Sequence, residues 1–415
     1  MVRLGDRVRV RSIDLGGQPD SIAVSPDGAF AAIAIESQRA EDGDLPQPPT
    51  GFVQLLALDG APEQWTPRRV EFDVEQARAA GLDTPEDLEP EYVAINDRGQ
   101  VAVTLQENNG VAVIDGRSGE VSRIFSAGNA SVAWIDTADD GVVDQTGAIP
   151  AVPREPDAIG WIGERYLATA NEGDWKGGTR GWSIFDAETG EIVWDAGNSF
   201  ERLAVRTGLH LDKRADAKGP EPEGLAVTAV DGRPIVLVAA ERSNFVAAYD
   251  VSAPTAPVFR QILPTTVGPE GILPIPDRNL LVISSEEDDA EAQVRGSLSV
   301  YGYVSAYVAQ DVLPFPSIVS GDVEGAPIGW GALGALAADP TDPNRLYTAT
   351  DKAYGPARVL RVDVAQSPAL IDAELVVTDT GQPITLDVEG LAARPDGGFV
   401  VAVEGEDVAD NQLVW

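Results

Sequence analysis

The sequence predicts an all-β fold, a seven-bladed β-propeller closed by an N-terminal strand that joins the last blade. Three observations predict it. A two-strand motif recurs seven times, with an acidic residue at each end in six of the copies. Further strand-like runs follow each copy. One strand-like run ahead of the first copy has no blade of its own. A repeated unit dictates architecture more strongly than local propensity does.

The motif is clearest at residues 221–241, EPEGLAVTAVDGRPIVLVAAE. One strand begins near Glu223. Asp231-Gly232 supplies the turn, because Gly takes positive φ without steric cost. Residues 235–240 return to Glu241. Antiparallel pairing sets the start of one strand beside the end of the other, so Glu223 and Glu241 are expected at one end of the hairpin. The other copies carry Asp20 and Glu36, Glu91 and Glu107, Asp157 and Glu172, Glu270 and Glu286, Gly334 and Asp351, and Glu389 and Glu404. The separations are 16, 16, 15, 18, 16, 17 and 15 in chain order, too constant for coincidence.

Third strands are expected at residues 51–58, 110–115, 181–185, 244–249, 298–303 and 358–362. Fourth strands follow at 69–72, 120–124 and 373–377. Four strands per unit, repeated radially, make a propeller. Residues 411–415 supply only a third strand to the last unit. Residues 7–15 are expected to close that blade as its outer strand, joining the termini and removing an exposed sheet edge. The whole chain, 1–415, reads as one domain. Residues 40–50 form an acidic, Pro-rich surface loop, and 74–82 a short helix capped by Asp73. The segment 136–144, DTADDGVVD, is an insertion with an incomplete Ca²⁺-loop pattern. Residues 207–220 form a charged loop containing the single histidine, His210.

The 415 residues carry 67 acidic and 30 basic side chains, a formal charge of -37. Phosphate backbones are repelled, so nucleic acid is excluded as a partner, and so is a negative membrane surface. The acidity reads either as a solvated surface or as a host for cations. There is no Cys, which excludes disulfides, thiolate metal sites and Cys nucleophiles. One His excludes multi-His zinc sites. Carboxylates, amides and hydroxyls remain, and these favour Ca²⁺, Mg²⁺ or Mn²⁺. No apolar run approaches ~18 residues, so no membrane insertion is expected. The opening MVRLGDRVRVRSIDL has no apolar signal core. The protein is therefore either cytoplasmic or made with a leader outside this sequence.

In a propeller the first strand of each blade lines the central channel. Asp20, Glu91, Asp157, Glu223, Glu270 and Glu389 would then share one mouth with the seven second-strand acids. Unpaired carboxylates at that density resist ionisation. Divalent cations relieve the repulsion, and two of them sharing carboxylates activate water and clamp a phosphoryl oxygen. The competing reading is structural: an acid after Pro bonds backbone amides of the next blade, and the second-strand acids pair with Arg242, Lys352 or Arg358. Arg242 and Lys176 are the basic residues nearest the mouth, and either holds a phosphate or neutralises neighbours. His210 reads as a loop or packing residue. Trp161, Trp175, Trp182 and Trp330 read as packing between blades.

The stretches LEPEYVAINDRGQVAVTLQENNGVAVID, EPDAIGWI…YLATANEGD, GPEPEGLAV…VLVAAERSNFVAAYDVS and GPEGILPIP…LLVISSEED resemble the choice-of-anchor I domain of secreted bacterial proteins. The later WGALGALAADPTDPNRLYTATDKAYGPARVLRVDV…DVEGLAARPDGGFVVAVEGE resembles the "esterase-like activity of phytase" domain. The two resemblances span residues 17–310 and 322–407. Together they are similar to β-propeller phosphotriesterases and alkaline-phosphatase-like proteins. They imply a secreted or periplasmic, metal-dependent phosphoesterase. Carried over residue by residue, Glu91, Glu223, Glu270 and Glu389 would be metal ligands, with Asp157 and Glu241 beside them.

The expected function is therefore hydrolysis of phosphomono- or phosphotriesters. Metal ligands would be Glu91, Asp157, Glu223, Glu270 and Glu389. Arg242 would steady the phosphoryl group, with Glu241 beside it as the other catalytic residue. The cation expected first is Ca²⁺, with Mn²⁺ or Mg²⁺ as alternatives. The partner is a small-molecule ester, and a monomer is expected. The alternatives are a non-catalytic surface module rigidified by Ca²⁺, and a lactonase or other esterase with a central Ca²⁺.

Overall fold

The computed structural model describes residues 2–3, 5–36, 50–303, 315–407 and 411–414. Nearly all of the predicted acidic loop, residues 40–49, lies outside them. The fold is all-β. Its units are small antiparallel sheets in which consecutive strands pair with consecutive strands. The first is Gln18–Val24, Phe30–Glu36, Phe52–Ala57 and Pro67–Val70. The second is Pro90–Ile95, Gln100–Leu105, Gly110–Asp115 and Val121–Ser126. The third is Ile159–Ile162, Tyr166–Asn171, Gly181–Asp186 and Ile192–Asp195. The fourth is Pro222–Val230, Arg233–Ala240, Phe245–Asp250 and Val258–Pro264.

The later sheets vary the scheme. The fifth has three described strands, Pro269–Ile275, Leu280–Ser285 and Ser297–Gly302. The sixth runs Leu333–Ala338, Arg345–Thr350, Arg358–Asp363 and Ala369–Val376. Ile318–Ser320 joins its outer edge in parallel, pairing with Ala369–Ile371. The seventh is Asp387–Ala393, Phe399–Glu404 and Gln412–Val414.

The seven motif hairpins thus form as the spacing predicts. Asp231 and Gly232 take φ of 50° and 74° between the paired Val230 and Arg233, a two-residue turn with both central residues at positive φ. In the first four sheets the second and third strands are buried on both faces: Phe30–Ile35, Val101–Leu105 and Phe245–Asp250 are buried throughout. Their Ala and β-branched residues let neighbouring sheets stack face to face at core density.

First strands lie against first strands. Gln18–Val24 packs on Pro90–Ile95, and so on through Ile159–Ile162, Pro222–Val230 and Pro269–Ile275, while Leu333–Ala338 packs on Asp387–Ala393. Among the described residues the same close packing links neither the fifth sheet to the sixth nor the seventh to the first, so the sheets do not close into a ring.

The N-terminal strand corrects the sequence reading. Val8–Arg9 pairs with Val2–Arg3 and not with the last sheet. The following segment commits its side chains to the first sheet instead. Arg11 donates to the carbonyls of Pro62 and Trp65 at 2.8 and 2.6 Å. Leu15 packs on Ile33, Ile35 and Phe52.

The helix Val74–Ala80 is capped as expected: the Asp73 carboxylate accepts from the N–H of Glu75 and Gln76 at 2.8 and 3.0 Å. Two elements are additions to the sequence reading. The insertion at 136–144 stands on its own hairpin, Asn129–Ile135 with Gly147–Pro153. A second helix, Ser199–Arg206, buries Phe200, Glu201, Ala204 and Val205. Trp161, Trp182 and Trp330 are buried, but Trp175 is 42% exposed, with the Lys176 ammonium 3.7 Å from its ring centre. That correction reflects its place in a loop, not a strand.

Candidate functional site

Each first-strand acid sits at a β-bulge. Pro222 pairs with Ala240 and Leu225 with Val238, so Glu223 and Gly224 together oppose the single residue Ala239. The same count holds for Asp20-Ser21, Glu91-Tyr92 and Glu270-Gly271, against Ala34, Thr104 and Ser284. Glu389 is likewise the extra residue between Val388 and Gly390. In the third sheet Ala170 bonds both Asp157 and Ala158 through its backbone. A bulge breaks the alternation of side chains and re-aims one of them. The N–H groups freed beside two bulges find hydroxyls: Tyr92 donates to Thr104 Oγ1 at 2.9 Å and Gly271 to Ser284 Oγ at 3.1 Å.

Gly224 lets the bulges approach one another. A Cβ there would lie 1.9 Å from the Glu270 carbonyl oxygen of the next sheet. Gly334, which stands where the motif calls for an acid, has a similar cause. A Cβ at 334 would lie 2.5 Å from the Val388 carbonyl oxygen, so no side chain fits.

The bulges gather the acids. Ligand oxygens of Asp20, Glu36 and Glu91 lie within 4.8 Å of one another, and so do those of Asp157, Glu172 and Glu223. A third group of the same kind joins Asp351, Asp387 and Glu389. Lys352 pairs with Asp387 beside this third group.

The first two groups act on each other and on the fifth sheet. Burial, then the charges of Glu36, Asp20 and Asp157, pushes Glu91 up to about 10. Glu223 is also pushed up to about 10, first by burial, then by a hydrogen bond to Glu241 and the charges of Glu172, Glu241 and Asp157. Asp157 is raised well above the carboxylate range by burial and by Glu172, Asp20 and Glu270. Glu270 is raised by burial and by its partner Glu286, with Glu241 and Asp20 beyond. Tyr92 is raised by burial and by Asp157, Glu270 and Asp20, acids of three different sheets.

Carboxyl groups therefore face one another in pairs, Asp20 with Glu91, Glu223 with Glu241, and Glu270 with Glu286. Of the predicted residues, Glu91 stands in the first group and Asp157 and Glu223 in the second, with Glu241 acting on Glu223 and Glu270 on Asp157. Glu389 belongs to the third group.

The basic residues that the sequence singled out are engaged in ion pairs. Arg242 binds Glu241 at 2.8 Å and Glu221 at 3.2 Å. Lys218 binds Glu172 at 2.8 Å, and Gln106 Nε2 donates to the other Glu172 oxygen at 2.9 Å. Lys176 pairs with Asp83 at 3.1 Å, and Arg358 with Glu374 at 3.0 Å. His210 is buried away from the mouth, its Nε2 3.2 Å from Asp136 Oδ2.

Sequence reasoning missed a second acid, two residues ahead of the first. Glu89, Glu155 and Glu221 precede Pro90-Glu91, Pro156-Asp157 and Pro222-Glu223, and all three are buried. Glu155 accepts from four backbone N–H groups of the next loop, Asp174, Trp175, Lys176 and Gly177, at 2.7–3.1 Å. Glu221 accepts from Arg214 and Arg242 at 2.7 and 3.2 Å. Glu155 and Glu221 sit at φ of 44° and 53°, a conformation that side-chain-bearing residues rarely take and that these bonds hold in place. The thrice-repeated Glu-Pro-acid tripeptide was the available signal.

The donor set suits a hard divalent cation, since clustered carboxyl groups that resist losing their last protons release them to solvent when an ion binds in their place. The chain is an all-β repeat protein with a carboxylate-lined face. It belongs to the choice-of-anchor I family, whose model, "Choice-of-anchor I domain", matches residues 4–177 and 176–254. A second model, "Esterase-like activity of phytase", matches 328–415, which includes the third acid group.

A curated relative, Gigasin-3a of Magallana gigas, is 32% identical over 91 residues, which cover 18% of this chain and 32% of that protein. The match thus spans about a third of that relative's length. Among solved structures, hydrazine synthase of Kuenenia stuttgartiensis is similar at TM-score 0.41 and 15% identity, covering 98% of this chain and 97% of that one. Virginiamycin B lyase of Staphylococcus aureus is similar at TM-score 0.39 and 12% identity, covering 94% and 93%.

Proposed function

We propose that this protein is a secreted or periplasmic hydrolase of phosphate esters, working with one or more divalent cations where its repeated sheets gather their carboxylates. The observation that carries the reading is the gathering of acids from neighbouring sheets, Asp20, Glu36 and Glu91 in one group and Asp157, Glu172 and Glu223 in another. Glu91, Asp157, Glu223 and Glu270 would hold the cation, with Glu389 at a second position. Ca²⁺ is the first choice for an all-oxygen donor set, and Mn²⁺ or Mg²⁺ are alternatives. A bound divalent ion would supply positive charge to a phosphoryl oxygen and acidify a water.

Around it, the chain's own groups divide the work. Glu241, hydrogen-bonded to Glu223, takes the proton as the water oxygen bonds to phosphorus. The phosphorus–oxygen bond to the alcohol breaks, and the leaving oxygen takes back the proton that Glu241 accepted, so the alcohol departs neutral. Arg242, held by Glu241 and Glu221, steadies the phosphoryl oxygens. The test is a panel of phosphomono-, di- and triesters with Ca²⁺, Mn²⁺, Mg²⁺ or EDTA. Turnover that EDTA abolishes and one of these ions restores is expected. No metal-dependent turnover with any ester sinks the reading.

One observation favours a second reading. Arg242 and Lys218 are both ion-paired, which suits a module whose cation only rigidifies the fold. In that case EDTA lowers the melting temperature and no ester is turned over.

A further inference from the structure

Beside the acids lies a cavity of about 440 Å³ that the proposed chemistry does not use. Its walls are the strand Gly147–Pro153, the loop at 174–178 and the segment 216–218. Ile149, Pro150 and Val152 give one apolar wall, and Trp175 adds exposed aromatic surface. The Trp175 loop is not free to collapse, because Glu155 ties four of its N–H groups.

The cavity opens onto the site through one side chain. Lys218 lines it, and the Lys218 ammonium is 2.8 Å from Glu172 Oε1. Glu172 in turn shares an acid group with Asp157 and Glu223. An ester whose phosphoryl group sits on those acids therefore has this cavity on the far side of Lys218 as room for its alcohol portion.

The charges say what kind of alcohol fits. Three cationic side chains line the cavity, and each is neutralised within the fold. Lys176 pairs with Asp83 at 3.1 Å and Lys218 with Glu172 at 2.8 Å. The Arg180 guanidinium is buried on Glu201 at 3.1 Å and on the carbonyls of Ala215 and Ala217. Asp174 and Asp216 add negative charge to the lining. A polyanion would bring several charges to a wall with no positive charge to spare, and would lose more hydration than it regains. An uncharged ring would instead bury apolar surface against Ile149, Pro150 and Trp175.

Resting on the phosphoesterase reading, we infer that this cavity receives the alcohol portion of the substrate, and that this portion is an uncharged ring, not a polyphosphorylated alcohol. Trp175 and Ile149 are the residues that set the preference.

The experiment compares phenyl phosphate, methyl phosphate and inositol hexakisphosphate as substrates of the full chain with Ca²⁺. In parallel, calorimetry follows the binding of phenylphosphonate, which cannot be hydrolysed. Phenyl phosphate should have the highest kcat/KM. Trp175→Ala and Ile149→Asp should each lower the phenyl-over-methyl preference and weaken phenylphosphonate about 5- to 10-fold. Equal losses on phenyl and methyl phosphate, or a preference for the hexakisphosphate, overturn the inference while leaving the phosphoesterase reading intact. If no ester is turned over, that reading fails, and phenylphosphonate decides the cavity alone. Binding weakened by both variants supports it, and no binding, or binding that neither variant changes, overturns it.

Discussion

At the scale of single residues, the site is a contest between burial and charge. Glu91 and Glu223 keep protons up to about pH 10 because burial and neighbouring acids disfavour their charged forms. A carboxyl whose folded value lies above its unfolded value of ~4.3 stabilises the fold below that value and loses the contribution as pH rises through the folded value. The metal-free protein should therefore melt at progressively lower temperature between about pH 5 and pH 10. Saturating Ca²⁺ should flatten that slope, and its binding should release protons. Differential scanning calorimetry across pH, and calorimetric Ca²⁺ titrations in buffers of different ionisation enthalpy, check both. Glu223→Gln removes one ligand and a carboxyl that the metal-free fold must hold protonated at pH 8 although the unfolded chain would release that proton. It should raise the melting point of the metal-free protein at pH 8 and weaken Ca²⁺ by at least about tenfold. A variant that melts lower without metal and binds Ca²⁺ normally would contradict this account of Glu223.

At the scale of elements, the bulge and the loop matter more than the strands. The acids at both ends of six of the seven hairpins were legible in the sequence, because pairing and a constant spacing bring the two ends together. The bulge was not, because Glu223-Gly224 reads as an ordinary strand start until Ala239 is seen to face both residues. Gly334 read as a lost acid, and only the Val388 carbonyl above it explains the vacancy of side chain. The helix Ser199–Arg206 was hidden because two of its buried residues are Glu201 and Ala204, which give little apolar signal. Gly224→Ala would place a methyl group against the Glu270 carbonyl. It should cost about 2–4 kcal/mol in chemical denaturation and weaken Ca²⁺ by parting the two bulges. Glu155→Ala strands four N–H groups of the 174–177 loop and should cost about 3 kcal/mol, with faster proteolysis at that loop. An unchanged denaturation midpoint in either variant would show that the contact bears no strain or support.

At the scale of the whole molecule, seven similar hairpins turn a weak local feature into a concentrated one. No single acid after a proline predicts a cation. Five of them from five sheets, each within electrostatic reach of others, do so by number. The architecture of repeated sheets was readable from the spacing, whereas ring closure was not, since Arg11 and Leu15 bind the first sheet and leave the last strand's edge to itself. A formal charge of -37 adds a diffuse repulsion to the local one. The most direct measurement is a Ca²⁺ titration of the EDTA-stripped protein by calorimetry, repeated with Glu91→Gln and Glu223→Gln. The account predicts saturable binding to the wild type at one or more sites, proton release on binding, and clear weakening in both variants. Absence of saturable binding by any of Ca²⁺, Mn²⁺ and Mg²⁺, or binding that neither substitution alters, would contradict it.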